Sequence, residues 1–192
     1  MYKRYLLFLL ALCVGVLQLN AQNISNKGRE FWLGYGRNSI PSSSFMIYIS
    51  TEQAAKVEIY TNGGNTLYRT YNIEANRVEL VGPILSSLIH IDTEGYHSGK
   101  SIYIKSDVPV SVFSHVYAEF SSGATMLMPV ESYGYEYYAV CANQLYGGGA
   151  TSWFYVIAKE NDTRVEITPN VETSEGVAAG SVITVNLAKG QI

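Results

Sequence analysis

Apolar and polar residues alternate over short stretches of this chain, and beyond residue 22 no segment sustains a 3.6-residue apolar spacing. Runs rich in Val, Ile, Tyr, Phe and Thr are separated by Gly, Asn, Asp, Ser and Pro, which is the pattern of an all-β protein. The first half predicts strands at Glu30–Gly36, Phe45–Ser50, Lys56–Thr61, Leu67–Asn72, Val78–Val81 and Leu88–Asp92. The second half predicts Ser101–Lys105, Val110–Tyr117, Thr125–Pro129, Tyr135–Ala142, Trp153–Lys159, Arg164–Thr168 and Ser181–Leu187. Turn chemistry is strongest at Asn62-Gly63-Gly64-Asn65, Glu94-Gly95, Gly147-Gly148-Gly149 and Glu160-Asn161-Asp162.

One passage occurs twice. Ser44 to Asn62 and Ser152 to Asn170 align without a gap at an offset of 108, with Ser, Ile, Glu, Val, Glu, Ile and Asn in place. A weaker copy between them sets Ile102-Tyr103-Ile104-Lys105-Ser106 before Val110-Ser111-Val112-Phe113, as a hairpin with Pro109 at its exit. Ile49, Ile104 and Ile157 are then 55 and 53 residues apart. This predicts antiparallel four-stranded units repeating about every 54 residues, arranged like propeller blades, with a β-sandwich as the alternative. The units fall at about 44–99, 100–151 and 152–192, within a β-repeat domain spanning 22–192. Asn186 to Ile192 echoes Asn72 to Val78, a point that leads straight into a predicted strand, so the domain is expected to be truncated at its C-terminal end.

The N-terminus follows a different rule. Lys3 and Arg4 precede an apolar run from Tyr5 to Leu17, and Leu19-Asn20-Ala21 offers a cleavage point, so residues 1–21 are expected to be a secretory signal peptide. The run is shorter than the roughly 20 residues a spanning helix needs, and no membrane span is expected elsewhere. Loss of residues 1–21 removes two basic and no acidic residues, taking the net charge from −3 to −5. An acidic chain does not suit nucleic acid. Cys13 leaves with the signal, so Cys141 has no disulfide partner in the chain and is expected to be a small buried hydrophobe.

Catalytic and metal motifs fail one by one. Gly99-Lys100-Ser101 has the end of a phosphate loop, but Glu94 stands where a glycine is required and no helix is predicted to follow, so a turn is expected. His90, His97 and His115 lack metal-ligand spacing with one another or with Cys141. No G-x-S-x-G elbow occurs. Glu160-Asn161-Asp162-Thr163 lacks the alternating carboxylates of a calcium loop and suits a hairpin turn. Glu58 and Glu166 recur at the same place in two copies, alternate with Val and Ile, and are expected to face solvent. No cofactor and no metal is expected. Of 16 tyrosines, several cluster at Tyr133-Gly134-Tyr135-Glu136-Tyr137-Tyr138. Tyrosine gives a large rigid contact area with a polar tip, so Tyr135, Tyr137, Tyr138 and Tyr146 are the candidate binding residues, with ordinary sheet packing as the competing role. Asn23-Ile24-Ser25 and Asn161-Asp162-Thr163 fit glycan acceptor patterns.

Four segments resemble a known family. Gly28-Arg29-Glu30-Phe31-Trp32-Leu33-Gly34-Tyr35 with Asn38 is similar to the opening of the IgG Fc-binding protein N-terminal domain. Lys105 to Val112, Met128-Pro129-Val130 with Tyr133 to Tyr138, and Ile157 to Pro169 resemble its later motifs. The resemblance covers Gly28 onward and implies an exported member, of the kind found in many bacterial proteins. It carries over no binding residue.

Together these features lead to an expected non-enzymatic adhesion or recognition module, secreted or held at the cell surface. Its expected partners are extracellular or host glycoproteins of mucin type, or another surface protein. A structural spacer for a C-terminal module is the second reading. A glycan-active enzyme on a propeller is the third, and no motif assigns its acids.

Overall fold

The computed structural model describes residues 25–37, 42–119, 121–141 and 151–192. The predicted signal peptide lies outside them, as does Tyr146. The protein is nearly all β, built on a curled, half-barrel antiparallel sheet. Its strands are β1 (Lys27–Leu33), β2 (Ser44–Thr51), β3 (Ala55–Thr61), β4 (Thr66–Ile73), β5 (Arg77–Ile84), β6 (Ile102–Ala118) and β7 (Ser121–Met126). A separate two-stranded sheet holds β8 (Thr163–Ile167) and β9 (Ile183–Leu187). A short helix, α1 (Ser86–Ile89), and a 3₁₀ turn (Val130–Ser132) complete the regular structure of the described residues.

The 17-residue β6 organises the sheet. Along one edge it pairs with β3 through residues 103–106 and then with β2 through residues 111–117. Along the other edge it pairs with β1 and then β7. Beyond these, β4 pairs with β3 and β5 pairs with β2. Each half of β6 therefore lies in a four-stranded arrangement, β1-β6-β3-β4 and β7-β6-β2-β5. The inner residues of both halves join one hydrophobic cluster, with Phe31, Ile59, Ile102 and Ile104 from the first and Ile47, Ile49, Val81 and Val112 from the second.

The middle hairpin predicted from the sequence does not form. Ser106-Asp107-Val108-Pro109 is the midpoint of a continuous strand, and β6 passes through it without turning. The physical reason is that residues 107–109 have no ladder partner on either edge, because β3 hands over to β2 and the β1 register slips at the same level. Pro109 lacks an N–H and costs nothing in such a gap. Asp107 helps close the seam, its Oδ1 accepting the Lys56 N–H at 2.8 Å, where β3 begins. Nor do β2 and β3 pair with each other. They follow one another along the same edge of β6.

Other predicted strands change for local reasons. Leu88–Asp92 is the end of α1 followed by a single parallel bridge from Tyr35 to His90. Trp153–Lys159 forms no strand, its one ladder-like contact being the exchange between Ala158 and the Gly190–Gln191 backbone. Residues 135–141 of the predicted Tyr135–Ala142 strand have no regular structure. Cys141, expected to be buried within that run, is exposed, because no strand forms to carry it inward. The turn at Glu160 to Asp162 is present, with Asp162 at φ 56. Gly82, at φ +126, sits where β5 places two residues opposite Met46, and a Cβ there would lie 2.9 Å from the Phe45 carbonyl oxygen.

The strong repeat survives only in its second half: Ser44–Asn62 holds β2 and β3, whereas Ser152–Asn170 holds a segment without strand and then β8, and it is β3 and β8 that each pair with the next strand along the chain. In β3–β4, Ala55, Val57 and Ile59 pair with Ile73, Tyr71 and Arg69. In β8–β9, the residues 108 further on, Thr163, Val165 and Ile167, pair with Leu187, Val185 and Ile183. The register is the same through these pairs, but residues 168–182 join β8 to β9 where only residues 62–65 join β3 to β4. An ion pair recurs too, between Lys56 and Glu58 at 2.7 Å and between Arg164 and Glu166.

Candidate binding face

Because side chains alternate across a strand, the residues between the core positions form the outer face of the curled sheet. Cross-strand pairing gathers them into rungs. In the β7-β6-β2-β5 half, Met126 pairs with Phe113, Phe113 with Tyr48, and Tyr48 with Leu80. In the other half, Trp32 pairs with Tyr103, Tyr103 with Tyr60, and Tyr60 with Leu67. Each half thus presents one apolar rung across four strands, with two aromatic residues in the middle.

The two halves differ in charge and cover. Beside the Trp32 rung runs a charged one, in which Lys105 lies between Glu30 and Glu58. Hydrogen bonds from Lys56 and Tyr60, with Lys105 nearby, hold the Glu58 carboxyl below its ordinary range. Burial and a hydrogen bond to Glu30 push the Tyr103 phenol up. Trp32 itself is buried and packs in a tilted arrangement 4.9 Å from the Tyr103 ring, with the Gly64 turn close against it.

The outward positions of β2, and the positions paired with them on β5, β6 and β7, are uncharged. They include Met46, Tyr48, Ser50, Val78, Leu80, Phe113, His115 and Met126. Leu80 is 49% exposed, Val78 62% and Tyr117 54%. The rings of Tyr48 and His115 lie 5.9 Å apart, and those of His115 and Tyr117 6.1 Å apart. The result is a neutral aromatic platform on sheet backbone, suited to a flat apolar partner surface or the C–H face of a sugar ring. Aromatic anchors of this kind dominate the energetics of protein contacts.

The tyrosines singled out from the sequence lie elsewhere. Tyr135, Tyr137 and Tyr138 are 106%, 71% and 93% exposed on the segment after the 3₁₀ turn. Only Tyr137 has a local tie, its hydroxyl accepting the Gly134 N–H at 2.8 Å. They do not join the platform, and Tyr146 lies outside the described residues. Tyr48, Phe113, Leu80 and Met126 escaped notice because each reads as part of its own strand. The available signal was apolar residues at both parities of 45–50 and 110–117, where a sheet open to water on one side would carry charges.

Other candidate chemistry resolves into structure. Ser101 is buried, its hydroxyl donating to the Gly190 carbonyl at 2.6 Å, and Lys100 donates to the Ser87 carbonyl. The loop of Gly99-Lys100-Ser101 is a turn, with Gly99 at φ +84. It borders a shallow cleft lined by Thr61, Asn62, Thr66, Ser87, Leu88 and Ser98 together with Gly99 and Lys100, a lining without carboxylate, imidazole or thiol. His90 packs 5.1 Å from Phe45 and His97 lies 2.9 Å from the Thr93 carbonyl oxygen. Among the described residues no group of three or more His, Cys, Asp and Glu could hold a metal ion. Among them also, no helix is long and apolar enough to cross a membrane.

No curated protein and no solved structure matches the chain. Residues 123–192, which carry the end of β7, the exposed tyrosine segment and the β8–β9 hairpin, match the model of the IgG Fc-binding protein family, the family that the motifs from Gly28 onward resemble.

Proposed function

We propose that this protein is an exported, non-enzymatic recognition module that binds an extracellular glycoprotein or another surface protein through the outer face of its β7-β6-β2-β5 half. The observation that carries this is the uncharged rung Met126–Phe113–Tyr48–Leu80, partly buried at its two aromatic residues and exposed at Met126 and Leu80. The family match supports a protein partner outside the cell. The family's description names IgG Fc, so antibody is one ligand to test beside mucins and other glycoproteins. The role is adhesion at the cell surface, where such a module meets host or neighbouring glycoproteins.

Immobilised mucin, IgG Fc and a glycan array would be screened with the purified chain, then with a Tyr48→Ser, Phe113→Ser double variant. The expected result is binding by the parent and at least tenfold weaker binding by the variant, since buried aromatic anchors are each worth about 2 kcal/mol or more. Circular dichroism of the two proteins should agree. Undiminished binding by the folded variant would remove the platform from the reading, and silence towards every ligand would remove the reading itself. The recurring hairpin favours a second role, in which repeated units space a functional module away from the cell.

A further inference from the structure

We infer that β8 is an acceptor edge for an extended strand of a partner protein, one that sets a basic residue beside Glu166 and an apolar residue beside Ile167. This concerns a different surface from the aromatic platform and goes beyond the proposed function.

The inference comes from comparing two hairpins of the same register. In β3–β4 the second edge of β3 is filled by β6, which places Lys105 opposite Glu58 and Ile104 opposite Ile59. With that strand in place, Val57 and Ile59 are fully buried. In β8–β9 the corresponding edge of β8 has no strand partner among the described residues. Val165 and Ile167 are correspondingly only half-buried. The filled copy therefore states what the open copy lacks.

Charge points the same way. Glu58 has Lys56 beside it on its own strand and Lys105 across the ladder. Glu166 has Arg164 beside it and an open position across. Within β8 no proline, no register shift and no inward-pointing charge opposes strand addition. Strand addition at such an edge takes affinity from main-chain hydrogen bonds and specificity from alternate side chains. The occupant is a strand with the chemistry of Tyr103-Ile104-Lys105-Ser106, apolar on one face and basic on the other.

The test uses the full chain and a fluorescent synthetic peptide of the sequence of residues 101–107, with a second peptide in which the lysine is glutamate. Binding is read by fluorescence anisotropy. The parent is expected to bind the lysine peptide saturably and several-fold better than the glutamate peptide. Glu166→Lys should weaken the lysine peptide by about fivefold and restore the glutamate peptide, the scale of one cross-strand charge pair. Glu166 is exposed, so this variant keeps its fold. Absence of saturable binding, or binding indifferent to both charge changes, overturns the inference. So does a concentration-dependent dimer in sedimentation that Glu166→Lys abolishes, since the edge would then belong to a second copy. Glycoprotein binding retained by Glu166→Lys keeps the platform reading separate from this one.

Discussion

The duplicated hairpin permits a controlled comparison of burial. Ile59 and Ile167 occupy equivalent positions in the same register, yet Ile59 is wholly inaccessible and Ile167 is half-buried. Ile59→Ala removes three carbons from a site packed against β6 and the shared core. Such truncations cost about 2–5 kcal/mol, part transfer and part cavity. In a domain of this size each kcal/mol moves Tm by roughly 2–4 °C, so the expected loss is about 10 °C. Ile167 is only partly covered, so Ile167→Ala loses part of the roughly 1.5–3 kcal/mol that full burial of an isoleucine is worth, about 1–2 kcal/mol and about 5 °C. Thermal melts followed by circular dichroism at one protein concentration would compare the two variants, with Val57→Ala and Val165→Ala as a second pair. Equal losses at Ile59 and Ile167 would refute the reasoning, because the second hairpin would then be as fully covered in solution as the first.

Three further outcomes follow from packing and burial. Gly190→Ala should destabilise by about 2 kcal/mol or more in urea titration, since residue 190 sits at φ +74 and a Cβ would come within 2.2 Å of the Gly63 carbonyl oxygen. The Tyr35 phenol donates to the Met46 carbonyl at 2.7 Å, and burial pushes its pKa well above the ordinary tyrosine value. A raised folded-state pKa contributes nothing pH-dependent below about pH 10 and loses stability above it, at up to about 1.4 kcal/mol per pH unit, so Tyr35→Phe should flatten the alkaline limb of the stability profile. Cys141 is exposed, so the native chain lacking residues 1–21 should react with a disulfide reagent almost as fast as in denaturant, and strong protection would contradict its placement.

Much of the sheet was legible because alternation survives wherever one face is buried. Phe45–Ser50, Lys56–Thr61 and Leu67–Asn72 are all strands within a residue or two of their predicted ends. Strands β3 and β8 were visible as repeated letters because their inward Val and Ile recur at the same parity, while their pairing with β4 and β9, outside the repeated passage, was not. What was hidden depends on contacts far apart in the chain. Ser106-Asp107-Val108-Pro109 has the chemistry of a turn, and only the change of neighbours at that level lets β6 run straight through it. Tyr135 to Val140 has the composition of a strand, but no described neighbour offers it a ladder, so composition misled. The platform was hidden for the same reason, since Tyr48, Phe113 and Leu80 become neighbours only once β2, β5 and β6 lie side by side.

The central position of β6 also sets a timetable. Strands β1, β2 and β3 all depend on a strand that lies after them in the chain. A polypeptide emerging N-terminus first has only the β3–β4 and β2–β5 pairs at hand until residue 118 has been made. Phe31, Ile47 and Ile59 must wait for partners that do not yet exist. Closure of the core is therefore a single late event dominated by non-local contacts, which places its rate in the millisecond-to-second range of β folds. A chain cut before Ile102 would have no route to the native core, and the nascent chain keeps an open, threadable core until β6 has been made.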